Sequence, residues 1–281
     1  MPRFDRVTII GLGLIGGSLG LALKRRKLAR RVIGVTRSAR SLRLALRRGA
    51  IDGGTADLRE GVQGAALTVL AVPVDVIVPI GRAAAARMGP GGVLTDVGSV
   101  KAGIVRALER LPRSGPAFVG AHPVAGSERR GIEAADAELF AQTLGILTPT
   151  ARTDERAVRV VGSLWRAVGQ RIVLMDPAAH DSALADLSHL PHVVAAALAA
   201  SVRPGLVPQV PRSLLDMTRI ANSDPGLWDD ILAANRGAVL ASLRRFERSL
   251  RALRDAVRRG DRGAIRRRLA RARLRREALE R

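Results

Sequence analysis

The chain has no cysteine, no tyrosine and only three lysines, Lys24, Lys27 and Lys101. Without cysteine there can be no disulfide framework, thiolate metal site or cysteine nucleophile, a composition that suits a cytoplasmic protein. Aromatic residues are 2% of the sequence, four Phe and two Trp, and only Phe246 falls within the basic C-terminal run, so a stacking platform for single-stranded nucleic acid is not expected. Long apolar runs are missing as well: no uncharged stretch reaches the roughly 20 residues of a membrane-spanning helix. The N-terminus runs straight into a strand rather than through a charged region, apolar core and cleavage site. Neither a membrane nor a nucleic-acid partner is expected.

What the chain does have is 281 residues, 47% of them hydrophobic, enough for a buried core and a second packing unit. Its formal net charge is +22. Residues 244–281 hold 16 Arg against five acids, half of that excess. A clustered basic face can displace counterions from nucleic-acid phosphates. Because 44 of the 47 basic residues are arginines throughout the chain, the run reads instead as a solvated helix face and a general compositional bias. Such a surface can also steer a small anion toward a site.

Residues 6–10 form a short β-branched run, followed by a glycine-rich turn and an apolar stretch of helical spacing to about residue 28. Further strand-like runs fall at 32–35, 67–72 and 93–97, with helical patterns at 41–48, 75–88 and 101–111 between them. Strands are also expected at 117–120, 144–148 and 171–175, with a helix over 154–168. Strand and helix in alternation give an α/β fold with a doubly wound parallel sheet over residues 1–175. From Asp176, which can cap a helix opening on Pro177, little reads as strand, and residues 176–281 should be all-helical. Apolar side chains from Trp228 to Val257 recur every three or four residues, predicting one helix over 225–259, about 50 Å long. Its stripe is expected to meet a second copy of the chain. The segment 260–263, with two glycines, breaks it before a final basic helix.

Four segments carry chemistry. In Gly11-Leu12-Gly13-Leu14-Ile15-Gly16 the first glycine permits a tight turn, the second lets backbone approach a pyrophosphate, and the third lets helix pack on strand. Strand, turn and helix in that order predict dinucleotide binding, with phosphates at the helix N-terminus. The second strand ends in Thr36-Arg37-Ser38, with Arg40 close behind. No carboxylate is there to repel a ribose 2′-phosphate, so NADP is expected, with NAD the alternative. His122, fixed by the following Pro123 in an extended loop, can accept a proton near neutral pH. His189 and His192 share a helix face, and Pro191 between them should distort the helix. No third ligand stands at metal spacing, so no metal is expected and a substrate-facing pair is the better reading. Arg219 can hold a carboxylate with its planar fork.

These segments resemble the prephenate and arogenate dehydrogenase family of tyrosine biosynthesis. The likeness runs nearly end to end through residues 11–18, Leu70-Ala71-Val72-Pro73, Asp96 to Lys101, His122 to Glu128, Ser188 to His192, and Thr218 to Ala221 followed by Ser223-Asp224-Pro225. It implies a Rossmann domain followed by a helical dimerisation domain, hence a homodimer. It also implies oxidative decarboxylation of a small anionic cyclohexadienol, with hydride passing from ring C4 to the nicotinamide as carbon dioxide leaves and the ring becomes aromatic. On this resemblance His122 and Ser99 are catalytic, His122 taking the proton of the 4-hydroxyl that Ser99 helps orient. Arg219, His192, His189, Glu128, Asp216 and Trp228 line the substrate site, Glu128 and Asp216 through ion pairs. Ala71, Val72 and Pro73 join the glycine turn and residues 36–40 at the cofactor. Thr36 stands where NAD-using members carry aspartate, which favours NADP and, by association, arogenate. At this length neither a fused mutase nor a separate effector domain is expected. A 3-hydroxyacid dehydrogenase of similar plan would need a catalytic lysine in the helical half, where none occurs. A non-catalytic dinucleotide sensor or nucleic-acid binder would show no turnover.

Overall fold

The protein is described by a computed structural model covering residues 4–112, 114–126 and 129–279, the side chains of 206–208 excepted. Six parallel strands make the first sheet: β1 (Phe4–Ile10), β2 (Ala29–Val35), β3 (Gly53–Thr55), β4 (Leu67–Leu70), β5 (Val93–Asp96) and β6 (Ala117–Val119). Their order is β3-β2-β1-β4-β5-β6, that of dinucleotide-binding doubly wound folds. Helices α1 (Leu14–Arg25), α2 (Ala39–Arg47), α3 (Leu58–Val62), α4 (Val74–Ala85) and α5 (Ala102–Leu108) connect them. The central strands are buried over most of their length, which is why they read as continuous β-branched runs. The three-residue β3 and five-residue α3 carry no such run, and the pattern at the sequence level missed both.

The chain then departs from the single sheet expected. β7 (Ala121–Val124), β8 (Leu144–Leu147) and β9 (Arg171–Leu174) form a separate three-stranded sheet. In it β7 runs antiparallel to β8, and β8 parallel to β9. His122 therefore lies in a strand, paired with Ile146, rather than in a loop. The extended conformation that Pro123 imposes on it is the strand itself. Helix α6 (Glu155–Ala167), capped by the Asp154 carboxylate at the Ala157 N–H, links β8 to β9.

Asp176 caps the next helix at the Ala178 and Ala179 N–H groups with Pro177 in the first turn. It runs as α7 (Pro177–Leu184), a π-helical turn over Ala185–His189, and α8 (Leu190–Ala200). Pro191 lacks an N–H and crowds the carbonyl one turn back, and the distortion expected of it takes the form of this widened turn. Residues 177–200, interrupted by Asp181 and Asp186, are long and apolar enough to cross a membrane by length and composition alone, the only such helix among the described residues. Within it His180, Asp181 and His189 are buried and hydrogen-bonded inside the fold.

After α9 (Arg212–Thr218) comes α10 (Pro225–Ala234), capped by Asp224. The single helix expected over 225–259 is in fact two. Asn235 leaves helical geometry at φ −106°, ψ 24°, its amide turned into the body to donate to the Asp181 carbonyl at 2.7 Å. By packing, the chain forms two compact units, Met1–Asn235 and Arg236–Arg281. The second consists of α11 (Arg236–Arg258) and α12 (Arg262–Ala278), joined at Gly260, whose φ of +65° ends α11.

Candidate functional site

Every expected site residue of the first 175 positions that the structure describes lies in the cofactor turn or just beyond the carboxyl end of a parallel strand, where open α/β sheets bind ligands. The glycine turn follows β1, Thr36 follows β2, Ala71 to Pro73 follow β4, Ser99 follows β5, and His122 is three residues past β6.

The fit of this crevice to a dinucleotide is read from its glycines. Gly11 has φ +95°, and a Cβ there would fall 2.1 Å from the Ala71 carbonyl oxygen; a Cβ on Gly16 would fall 2.0 Å from the Gly11 oxygen. Both are demanded by the fold. Gly13 is different: a Cβ on it would meet no protein atom within 4 Å. Nothing in the protein requires that glycine, but a pyrophosphate lying against the backbone at the start of α1 does. Leu12 is buried, packed beside Gly34, so it can offer a ligand only its backbone. Ile15 likewise packs against the core. At the end of β2 the Thr36 hydroxyl accepts from the Ser38 N–H at 3.2 Å, and the Ser38 hydroxyl caps α2 by accepting from the Ser41 N–H at 3.1 Å. Arg37 is exposed. Arg40 is paired with Glu133 at 3.1 Å.

Around His122 the groups are buried and linked by hydrogen bonds. Its Nδ1 lies 2.9 Å from His180 Nε2, and His180 Nδ1 lies 2.8 Å from Asp181 Oδ1. The Asp181 carboxylate also receives the Lys101 N–H at 2.7 Å and the Ala102 N–H at 2.9 Å, capping α5. Burial pushes the Asp181 carboxyl up, but the bonds from His180, Ala102 and Lys101 outweigh it and hold it below the usual range. Burial, with the nearby His180, Lys101 and His189, pushes His122 well below the ordinary imidazole value. It is therefore neutral at pH 7, as a base must be. The ammonium of the fully buried Lys101 is paired with the Asp96 carboxylate and donates to the Ala121 carbonyl at 3.0 Å. Asp96 in turn accepts from the Gly98 and Ala121 N–H groups. This pair staples the loop carrying half-buried Ser99 to the strand carrying His122.

The helical segments bring the remaining residues together. His189 is 1% exposed and its Nδ1 meets the Asn235 amide at 3.1 Å. Burial lowers its pKa to about 4. His192 stacks on Trp228 with ring centroids 3.5 Å apart, and His189 meets the same indole edge-on at 5.9 Å. The Arg219 guanidinium, in the 3₁₀ turn Arg219–Asn222, is close enough to His192 to lower its pKa, after the larger effect of burial. Asp216 is exposed on α9 and makes no hydrogen bond or ion pair among the described residues. Glu128 lies outside the described residues. Sequence reasoning missed His180, Asp181 and Asn235. A His-Asp pair in the second turn of a capped helix, in a chain with four histidines, was the available signal.

A buried neutral imidazole at the carboxyl end of a dinucleotide-binding sheet is placed to accept a proton where a hydride acceptor can lie. That arrangement defines the class, a nicotinamide-dependent dehydrogenase. Within it, residues 19–174 match the family model described as "Prephenate dehydrogenase, nucleotide-binding domain" and residues 176–271 that described as "Prephenate dehydrogenase, dimerization domain". The chain belongs to the prephenate dehydrogenase family. It is 36% identical over 264 residues to the prephenate dehydrogenase of Bacillus subtilis, covering 92% of this chain and 71% of that one. It superposes with a TM-score of 0.91 on prephenate dehydrogenase from A. aeolicus in complex with hydroxyphenyl propionate and NAD+, at 31% identity and with 98% of each chain covered. Synechocystis arogenate dehydrogenase follows at TM-score 0.84 and 30% identity, with 98% of this chain and 99% of that one covered.

Proposed function

We propose that this dehydrogenase oxidatively decarboxylates arogenate, and prephenate less readily, with NADP as its cofactor and His122 as its base. When bound, the nicotinamide supplies the hydride acceptor. His122, neutral and held through Nδ1, takes the proton of the ring hydroxyl at Nε2, so that carbonyl character can develop at the carbon losing hydride. Ser99, on the loop stapled to β7 by Lys101 and Asp96, orients that hydroxyl. Arg219, close to the His192 ring that stacks on Trp228, holds a substrate carboxylate in a bidentate fork. Glu128 stays assigned to an ion pair that organises the substrate pocket, while the pair assigned to Asp216 finds no partner among the described residues. The observation that carries the reading is the buried neutral His122 at the end of a dinucleotide-binding sheet.

NADP rests on the turn after β2, where Thr36, Arg37 and Ser38 place hydroxyls and a guanidinium and no carboxylate. Residues 1–175 serve the cofactor, and residues 176–281 serve the substrate and a homodimer. The dimer is supported by apolar surface that a single chain leaves open, including Leu187, Leu250 and Val257 at 71%, 54% and 60% exposure. The test is the initial rate of cofactor reduction with arogenate and prephenate in parallel, each with NADP and NAD. The highest kcat/KM is expected for arogenate with NADP. Faster turnover of prephenate with NAD would overturn both specificities, and no turnover with either substrate would overturn the reading as a whole.

A further inference from the structure

We propose that His180, backed by Asp181, is a positioning residue that fixes the tautomer of His122 and leaves its Nε2 bare as the proton acceptor. The inference rests on His122 being the base, and the geometry determines which way each bond runs.

Asp181 is the fixed end of the chain. Its two oxygens accept the Lys101 and Ala102 N–H groups at the start of α5, and its carboxyl is held below the usual range. An ionised carboxylate has no hydrogen to give. Across the 2.8 Å contact His180 must therefore donate from Nδ1. Full burial favours the neutral form of His180, and a neutral imidazole that donates at one nitrogen accepts at the other. His180 Nε2 is thus an acceptor, and across 2.9 Å the hydrogen must come from His122 Nδ1. His122 then carries its lone pair on Nε2. The rings meet at 67° with centroids 5.1 Å apart, an edge-on approach that lets one nitrogen point into the other ring's plane.

Each member is locked from elsewhere. Asp181 is tied to α5, and its carbonyl takes the Asn235 amide at 2.7 Å. His180 is fully buried in a helix capped at Asp176. His122 sits in a paired strand whose first residue, Ala121, is gripped by Asp96 and Lys101. A base oriented by a second group recurs wherever a histidine must present one nitrogen. Here a second imidazole stands between carboxylate and base, so the carboxylate sets the tautomer from two residues away. The proton taken by His122 stays on its Nε2 during the chemical step, and the chain behind it directs that proton without receiving it.

With four histidines in the chain, protein labelled with 15N-histidine gives a resolvable long-range 1H–15N spectrum, and His122→Asn assigns the His122 signals. At pH 7.5 the expected spectrum shows His122 protonated at Nδ1 and bare at Nε2. His180→Leu should move His122 toward the Nε2–H form, while His180→Gln, whose amide still donates to Asp181 and accepts from His122, should retain the native form. In kinetics His180→Leu should lower kcat at least tenfold, with KM for cofactor and substrate within about threefold and with most of the rate regained by His180→Gln. In a His122→Asn background His180→Leu should have no further effect beyond about twofold. An Nε2–H tautomer in the wild type would overturn the proposal, as would an unchanged tautomer in His180→Leu or losses that multiply in the double variant. Beyond the His122→Asn protein used for assignment, the wild-type spectrum needs neither turnover nor a His180 variant, so it decides the point even if His122 serves another reaction.

Discussion

His189 shows what a buried imidazole costs. Its pKa of about 4 in the fold compares with about 6.5 in an unfolded chain. Between those values the unfolded state binds more protons, so stability falls as pH drops through that window and is retained above it. Burial pushes His122 and His192 in the same direction, and Asp181 adds a loss at still lower pH, where its depressed carboxyl finally protonates. At pH 4.5 the His189 share is at most about 2.5 kcal/mol. Urea unfolding at pH 7 and 4.5 should show a clear loss in the wild type, and His189→Gln should shrink that loss. An equal loss in both proteins would mean that His189 is not held neutral in this way. None of this was visible in the sequence, where His189 was legible only as a helix neighbour of His192. The Asn235 amide that meets it lies 46 residues away.

At the scale of elements, the proposed choice of cofactor rests on the turn after β2. A carboxylate at position 36 would grip a ribose 2′-hydroxyl and repel a 2′-phosphate. Thr36→Asp should therefore raise the NAD:NADP ratio of kcat/KM at least tenfold, and an indifferent ratio would remove residue 36 from cofactor choice. The same elements show why local pattern sufficed for some features and failed for others. β1, β2, β4 and β5 were legible because strands buried on both faces must be continuous apolar runs. The antiparallel entry of β7 was not, because only Gly120 separates it from β6 and Pro123 within it made the segment read as a loop. The split between α10 and α11 was hidden for another reason. The apolar stripe continues through Asn235, while the interaction that breaks the helix is a long-range bond to Asp181. Pro191 announced a distortion, but its form as a widened turn depends on the whole helix from Pro177 to Ala200.

At the scale of the molecule, the chemistry is gathered from segments far apart in the chain. Lys101, His122, His180, His189 and Asn235 come from the end of the sheet, the edge of the small sheet and three helical segments, and they meet within one compact unit. Motif reading found the members that sit in glycine- or proline-marked contexts. It missed His180 and Asp181, whose surroundings form an ordinary helix. The apolar helix faces left open in one chain call for a second copy, so the mass in solution should be about twice 29.8 kDa. A monomer mass at micromolar concentration would contradict the dimer. Every part of the account depends on His122 as the proton acceptor, and His122→Asn tests that most directly: steady-state cofactor reduction should fall at least about a hundredfold with cofactor affinity unchanged, whereas undiminished turnover would contradict it.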